Sequence, residues 1–158
     1  MASKSTGEAA DLPSFFSDLV RCETRLYNAL NDRLRERHAI VTSQFEFLRY
    51  LRDHPGARVA DVAAEFAIGI GATSKGADRL ERQGWAVRQP NPSDRRSSLL
   101  ALTADGERLV AAAEKTFTAT LAELVTGALD HASVSAAARA LSGLRSALEA
   151  QQTGTPTG

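Results

Sequence analysis

The stretch "DRLERQGWAVRQPNPSDRRSSLLALTADGE", residues 78–107, changes its pattern three times within thirty residues. It opens as a charged helical run that stops at Gly84, where a glycine can take the left-handed turn that ends a helix. "WAVRQP" and "SSLLALT" are short β-rich runs on either side of "NPSDRR", the pattern of a hairpin. Pro90 and Pro92 remove two N–H donors, so the first strand is expected to end near Gln89. Thr103 is then placed to cap a new helix, with Glu107 near enough for a loose capping box. Two adjacent arginines, Arg95 and Arg96, stand at the hairpin tip, where a minimal turn needs no charge.

Upstream, "RVADVAAEFAIG" predicts a short helix packing Val62, Ala63 and Phe66 and ending at Gly69. "GATSKGADRLERQG" restarts at once, predicting a second helix from about Gly71 to Gln83. Two short helices joined by a tight glycine turn form a helix-turn-helix candidate. Before them, "TSQFEFLRYLRDHPG" predicts a helix capped by Thr42 or Ser43, with Phe45, Leu48 and Leu51 on its apolar face and Pro55-Gly56 stopping it. Earlier still, "LPSFFSDLVRCETRLYNALNDRLRER" repeats apolar residues at the three-and-four spacing of a long amphipathic helix: Phe16, Leu19, Val20, Tyr27, Leu30, Leu34. After the hairpin, Leu109, Ala113, Phe117, Leu121 and Leu124 stripe one long helix, and Val134, Leu141, Leu144 and Leu148 a last one. The division expected is a disordered N-terminus at 1–11, a long helix at 12–40, a helix-turn-helix and hairpin lobe at 41–102, long helices at 103–150 and a disordered tail at 151–158.

Composition sets limits on partners. The 158 residues are 43% hydrophobic, enough for a real core, and 19 basic residues balance 19 acidic ones. Net charge therefore gives no global argument for nucleic acid or an anionic membrane, and any basic face must be local. No leader-like apolar segment and no run of eighteen apolar residues is present, so a cytoplasmic protein without membrane association is expected. Cys22 is the single cysteine, too few for an internal disulfide or a cysteine-rich metal site. His38, His54 and His131 are scattered, so no metal and no cofactor is expected. G-x-S-x-G, P-loop and H-E-x-x-H motifs are absent, which argues against an enzyme.

"DRLERQGW" closing a helix, P-x-D-R-R in a hairpin loop and "LTADGE" opening a helix, in that order after a helix-turn-helix, resemble the MarR family of bacterial winged helix-turn-helix regulators. The resemblance covers residues 41–110 in motif detail. It implies a mainly α fold with a small β-hairpin wing, a winged helix-turn-helix lobe and long N- and C-terminal dimerisation helices. It implies a homodimer on double-stranded DNA, each subunit placing one helix in a major groove and one wing in the adjacent minor groove. The residues agree, because apolar helices at both chain ends exceed what one small lobe can cover. A two-fold dimer would space its reading helices by about 34 Å, one turn of DNA, and a palindromic site follows.

Within that frame the reading helix offers Thr73, Ser74 and Lys75 to base edges and phosphates, with Arg79 one turn on. Gly69, Gly71 and Gly76 weaken it, each interior glycine costing up to about 1 kcal/mol relative to alanine. Either the backbone approaches DNA closely there or the helix firms up on binding. At the wing, a planar, weakly hydrated guanidinium suits the narrow minor groove, and the resemblance implies that Asp94 orients Arg96, with Arg95 beside it. From Arg58 to Leu100, seven basic residues face five acidic ones, so placement must do what total charge does not. Asp78 is expected to pair with Arg82 at i, i+4.

The resemblance also implies repression relieved by a small effector in a cleft between the dimer helices and the reading lobe. An anionic aromatic is the default, with Arg21 or Arg25 as carboxylate partners and His38 and Tyr50 lining the cleft. Trp85 is expected to anchor the hairpin to the core. Two alternatives stand beside this: a redox-sensing repressor acting through Cys22, flanked by Arg21 and Arg25, and a winged-helix protein-interaction module that binds no DNA.

Overall fold

The computed structural model describes residues 10–156. Six helices and one hairpin follow in the order α1 (Leu12–His38), α2 (Thr42–Asp53), α3 (Val59–Phe66), α4 (Ile70–Arg82), β1 (Ala86–Pro90), β2 (Ser98–Leu102), α5 (Ala104–Thr126) and α6 (His131–Ala150). The mainly α class with a small β-hairpin is therefore as expected. Of the expected disordered ends, residues 1–9 and 157–158 lie outside the described residues. Just after α6, Gln151, Gln152 and Thr153 donate backbone N–H groups to the carbonyls of Ala147, Glu149 and Leu148, forming a turn at the helix end.

Several boundaries move by a residue or more, each for a local reason. α2 begins at Thr42 behind Val41, whose apolar side chain cannot cap. Gln44 Oε1 accepts from the Val41 N–H instead (3.0 Å), and Asn31 Oδ1, reaching from α1, accepts from the Thr42 N–H (2.8 Å). Both substitutes satisfy donors that a helix start leaves free. α3 stops at Phe66, three residues before Gly69, because Ala67 turns into the left-handed region at φ 50°. α4 then starts one residue before Gly71, with Gly69 as its N-cap. β1 runs on to Pro90, which pairs with Ser98 at the strand end, where its missing N–H breaks no interior ladder bond.

The core lies under the helix-turn-helix. Phe45, Leu48 and Leu51 of α2 meet Val62, Ala77, Leu80, Ala86 and Leu100, and Leu34 and Val110 close it from α1 and α5. Phe45 and Phe117 pack with ring centroids 4.6 Å apart, and Trp85 lies partly buried against the same cluster. The hairpin is rooted by one junction. Thr103 caps α5 by accepting from the Gly106 N–H (3.1 Å), its hydroxyl donates to the Gly84 carbonyl (2.6 Å) and its N–H to the Trp85 carbonyl (3.1 Å). Gly84 takes φ +78° to make the corner, and a Cβ on Gly106 would lie 2.0 Å from the Trp85 oxygen. No side chain fits there, which is why "QGW" and "LTADGE" go together.

Candidate nucleic-acid interface

α4 lies against the core with Thr73, Ala77 and Leu80 turned inward. This removes Thr73 from the set expected to read bases: it is 1% exposed, and its hydroxyl donates to the Gly69 carbonyl at 2.9 Å. That bond returns the hydroxyl to its own helix, closing the turn that Gly69 cannot cap. Ser74, one residue and about 100° on, is half-buried, and Lys75 and Arg79 are exposed. Ile70, missed from sequence, is a large apolar side chain left 59% exposed at the first helical position. An aliphatic group at the start of a reading helix is the type that contacts a thymine methyl.

The wing loop is organised by its own side chains. Asn91 accepts from the Ser93 N–H (3.0 Å) and donates to the Ser97 hydroxyl (3.0 Å). Asp94 Oδ1 accepts from the backbone N–H of Arg96 (2.9 Å), so Asp94 acts on Arg96 by shaping the loop backbone that carries it. Arg95 and Arg96 are both exposed at the tip.

Ion pairing sorts the cations of the lobe. Arg58 is held by Asp61 at 2.8 Å, and Arg88 by Asp78 at 2.8 Å and Glu81 at 2.6 Å. Partial burial pulls the Arg88 pKa down, but hydrogen bonds to Glu81 and Asp78 more than offset it and raise it. The Arg58 guanidinium beside Asp61 holds that carboxyl below the usual carboxylate range. The expected Asp78–Arg82 pair does not form: the Asp78 carboxylate goes to Arg88 on β1, and Arg82 Nε reaches only the Asp78 carbonyl, at 3.4 Å. Among the described residues, Lys75, Arg79, Arg82, Arg95 and Arg96 have no carboxylate within ion-pair distance. A nearly neutral lobe thus keeps five uncompensated cations, all on α4 or the wing tip.

A cleft of about 490 Å³ opens between α1, α2 and α4, lined among others by Tyr27, Phe47, Phe66, Ile68, Ala72 and Arg79. Gly76 gives it depth, since a Cβ there would come within 3.4 Å of the Phe47 ring. None of the four residues expected at an effector site lines it. Arg21 and Arg25 are exposed on α1, and His38 Nε2 shares a 2.8 Å hydrogen bond with Thr116 Oγ1, which spends the imidazole on joining α1 to α5. Tyr50 stacks on His54 (centroids 4.1 Å) and meets Phe66 edge-on; burial, with Glu65 and Asp61 nearby, pushes its phenol up. Cys22 is exposed on α1. The described residues hold no cluster of three or more His, Cys, Asp or Glu able to bind a metal, and no helix long and apolar enough to cross a membrane.

Comparison with known proteins agrees with this geometry. The chain is 30% identical over 97 residues to the multiple antibiotic resistance protein MarR of Salmonella typhimurium, an overlap of 58% of this chain and 67% of that protein. It belongs to the MarR family. The MarR family model itself matches residues 41–97, from the residue before α2 to the end of the wing loop. MarR of Escherichia coli K12 is 31% identical over 85 residues, 51% of this chain and 59% of that one. Solved structures extend the likeness to the terminal helices. The repressor CouR, bound to a 23-mer DNA duplex, superposes with a TM-score of 0.78 at 25% identity over 87% of this chain and 97% of that one. Sco3205, a MarR family regulator of Streptomyces coelicolor in complex with DNA, reaches 0.82 over 98% of both chains, and at 18% identity it speaks for the fold alone.

Proposed function

We propose that this chain is a DNA-binding transcriptional regulator, not an enzyme, that binds a palindromic duplex as a homodimer with α4 in the major groove and the wing in the minor groove. The carrying observation is the sorting of cations, which leaves Lys75, Arg79, Arg82, Arg95 and Arg96 free on the two elements such a dimer presents to DNA. Ser74 and Lys75 are the base- and phosphate-contacting pair, and Arg96, with Arg95 beside it, probes the minor groove from a loop held in shape by Asp94. The repressor CouR, solved on a DNA duplex, supports the reading. The dimer rests on apolar side chains left in water at both ends of the chain, among them Phe15, Phe16, Leu141 and Leu144.

Regulation is proposed as repression relieved by a small anionic aromatic molecule in the α1–α2–α4 cleft. Tyr27 and Phe47 supply the apolar walls and Arg79 the cation, in place of Arg21 and Arg25. Because Arg79 belongs to α4, a ligand held by it acts on the reading helix directly. Titration of the promoter region beside the gene, followed by fluorescence anisotropy at several salt concentrations, tests the reading. Three or more phosphate contacts per subunit of a dimer predict a log–log salt slope steeper than about −5. Absence of duplex binding at low salt overturns it in favour of a protein-interaction module.

A further inference from the structure

A helix and a wing can meet one duplex only if the angle between them is held. The root of the hairpin is tied to α4 by the Trp85 N–H, which donates to the Leu80 carbonyl at 3.0 Å, but that bond lies before β1 begins. Further out, one side chain crosses the gap. Arg88, paired with Leu100 in the register of the hairpin, sends Nη1 to Glu81 Oε2 (2.6 Å) and Nη2 to Asp78 Oδ1 (2.8 Å), with the Ser74 carbonyl 3.4 Å away. Residues 74, 78 and 81 follow the i, i+4, i+7 spacing of a single helical stripe. One guanidinium therefore spans two turns of α4.

We infer that Arg88 is a positioning residue that locks β1 to the outer stripe of α4, so that reading helix and wing meet DNA as one rigid body. The inference rests on the DNA-binding reading above. Arg88 is badly placed to be a phosphate contact itself, since two carboxylates already neutralise it. Nor do these pairs add much to global stability: the Asp78 and Glu81 side chains are 51% and 41% exposed, and exposed pairs contribute little. What the planar fork supplies is a fixed geometry, which the compact ammonium of a lysine could not reproduce on two carboxylates at once. The rest of the wing has no such tie to α4, because the Asn91, Asp94 and Ser97 bonds all close within the loop.

Arg88→Met keeps the apolar stem and removes the fork. Amide exchange measured without DNA should accelerate about tenfold across residues 86–98, a local opening that leaves the melting temperature within a few degrees of the wild type. Duplex affinity should fall about tenfold while the salt slope stays unchanged, because no phosphate contact is lost. Arg88→Lys should restore part of both. The triple variant Asp78→Asn, Glu81→Gln, Arg88→Met should remain as weak as the single one. Recovery of affinity in the triple variant would mean that Arg88 only screens two carboxylates from DNA, and a slope shallower by about one per subunit would make it a phosphate contact; either result overturns the clamp. Unchanged exchange overturns it without any reference to DNA, whereas a wild-type chain that binds no duplex overturns the DNA reading and leaves the exchange result to judge the clamp.

Discussion

The winged lobe and the terminal helices are made from similar amounts of apolar side chain, yet they stand in different environments. Phe45, Leu48 and Leu80 are no more than 1% exposed, while Leu141, Leu144 and Leu148 of α6 are 47%, 41% and 40% exposed, and α6 contains no buried residue. The lobe has a closed core, completed within the chain by Leu34 of α1 and Val110 of α5. The helices at the two ends present stripes that one chain leaves uncovered, and this is what the proposed dimer explains. The difference also separates two kinds of fragility: damage to the lobe should unfold it, whereas damage to the stripes should leave a folded monomer.

The sharpest break in the lobe is Gly106→Val. Its Cβ would fall 2.0 Å from the Trp85 carbonyl oxygen, and that atom belongs to the backbone and cannot swing aside. Overpacking with no route for relaxation predicts a loss of about 3 kcal/mol or more, read as a collapse of the thermal melt or as insoluble protein. The reverse test is Leu144→Glu with Leu148→Glu. Helical circular dichroism should be retained, while sedimentation shifts from dimer to monomer at micromolar concentration, since each uncovered leucine forgoes about 1.5–3 kcal/mol of burial. A double variant that stays dimeric would place the interface elsewhere.

The two helix ends that flank the hairpin were legible because each is local: a glycine ends one helix and a threonine caps the next. The helix-turn-helix and the hairpin were legible for the same reason. The junction of the two helix ends was not, because the Thr103 bonds and the tight Gly106 contact reach back to Gly84 and Trp85, about twenty residues earlier. What escaped was set by contacts between elements far apart in the chain. Thr73 and Ser74 look alike as hydroxyl residues at a helix start, and only the docking of α4 decides which one is buried. Arg82 stands four residues from Asp78, but Arg88 reaches back from β1 and takes the carboxylate. Tyr27 and Arg79, more than fifty residues apart, line one cleft only in the folded chain, so Arg21 and Arg25 were favoured from the sequence.

Arg96→Ala probes the lobe without unfolding it. The side chain is exposed and unpaired, so the melting temperature should hold. Loss of one minor-groove cation per subunit should weaken duplex binding about tenfold and make the salt slope of the dimer shallower by about two. Arg95→Ala should do less if its neighbour is the probe. Equal losses from both would mean that the tip acts by charge alone, with no fixed insertion.

The smallest effect bears on the weakest part of the lobe, the start of α4. Gly71 has no atom within 4 Å of where a Cβ would stand, so Gly71→Ala meets no obstacle within the chain. Interior alanine is favoured over glycine by up to about 1 kcal/mol, and at the second helical position a gain of a few tenths is expected, visible as a rise of a degree or two in the melt. Its effect on DNA binding decides between the two reasons a reading helix has for carrying glycine. If α4 firms up only on the duplex, the alanine supplies part of that ordering in advance and affinity rises about twofold. If the backbone at Gly71 approaches the DNA, the added methyl stands where a base or phosphate must come, and affinity falls although the protein is more stable. Since Thr73 already ties its hydroxyl to the Gly69 carbonyl and Arg88 braces the same helix from Ser74 to Glu81, most of the order in α4 is present before DNA arrives. The expected result is therefore the second: a more stable protein that binds its site less well.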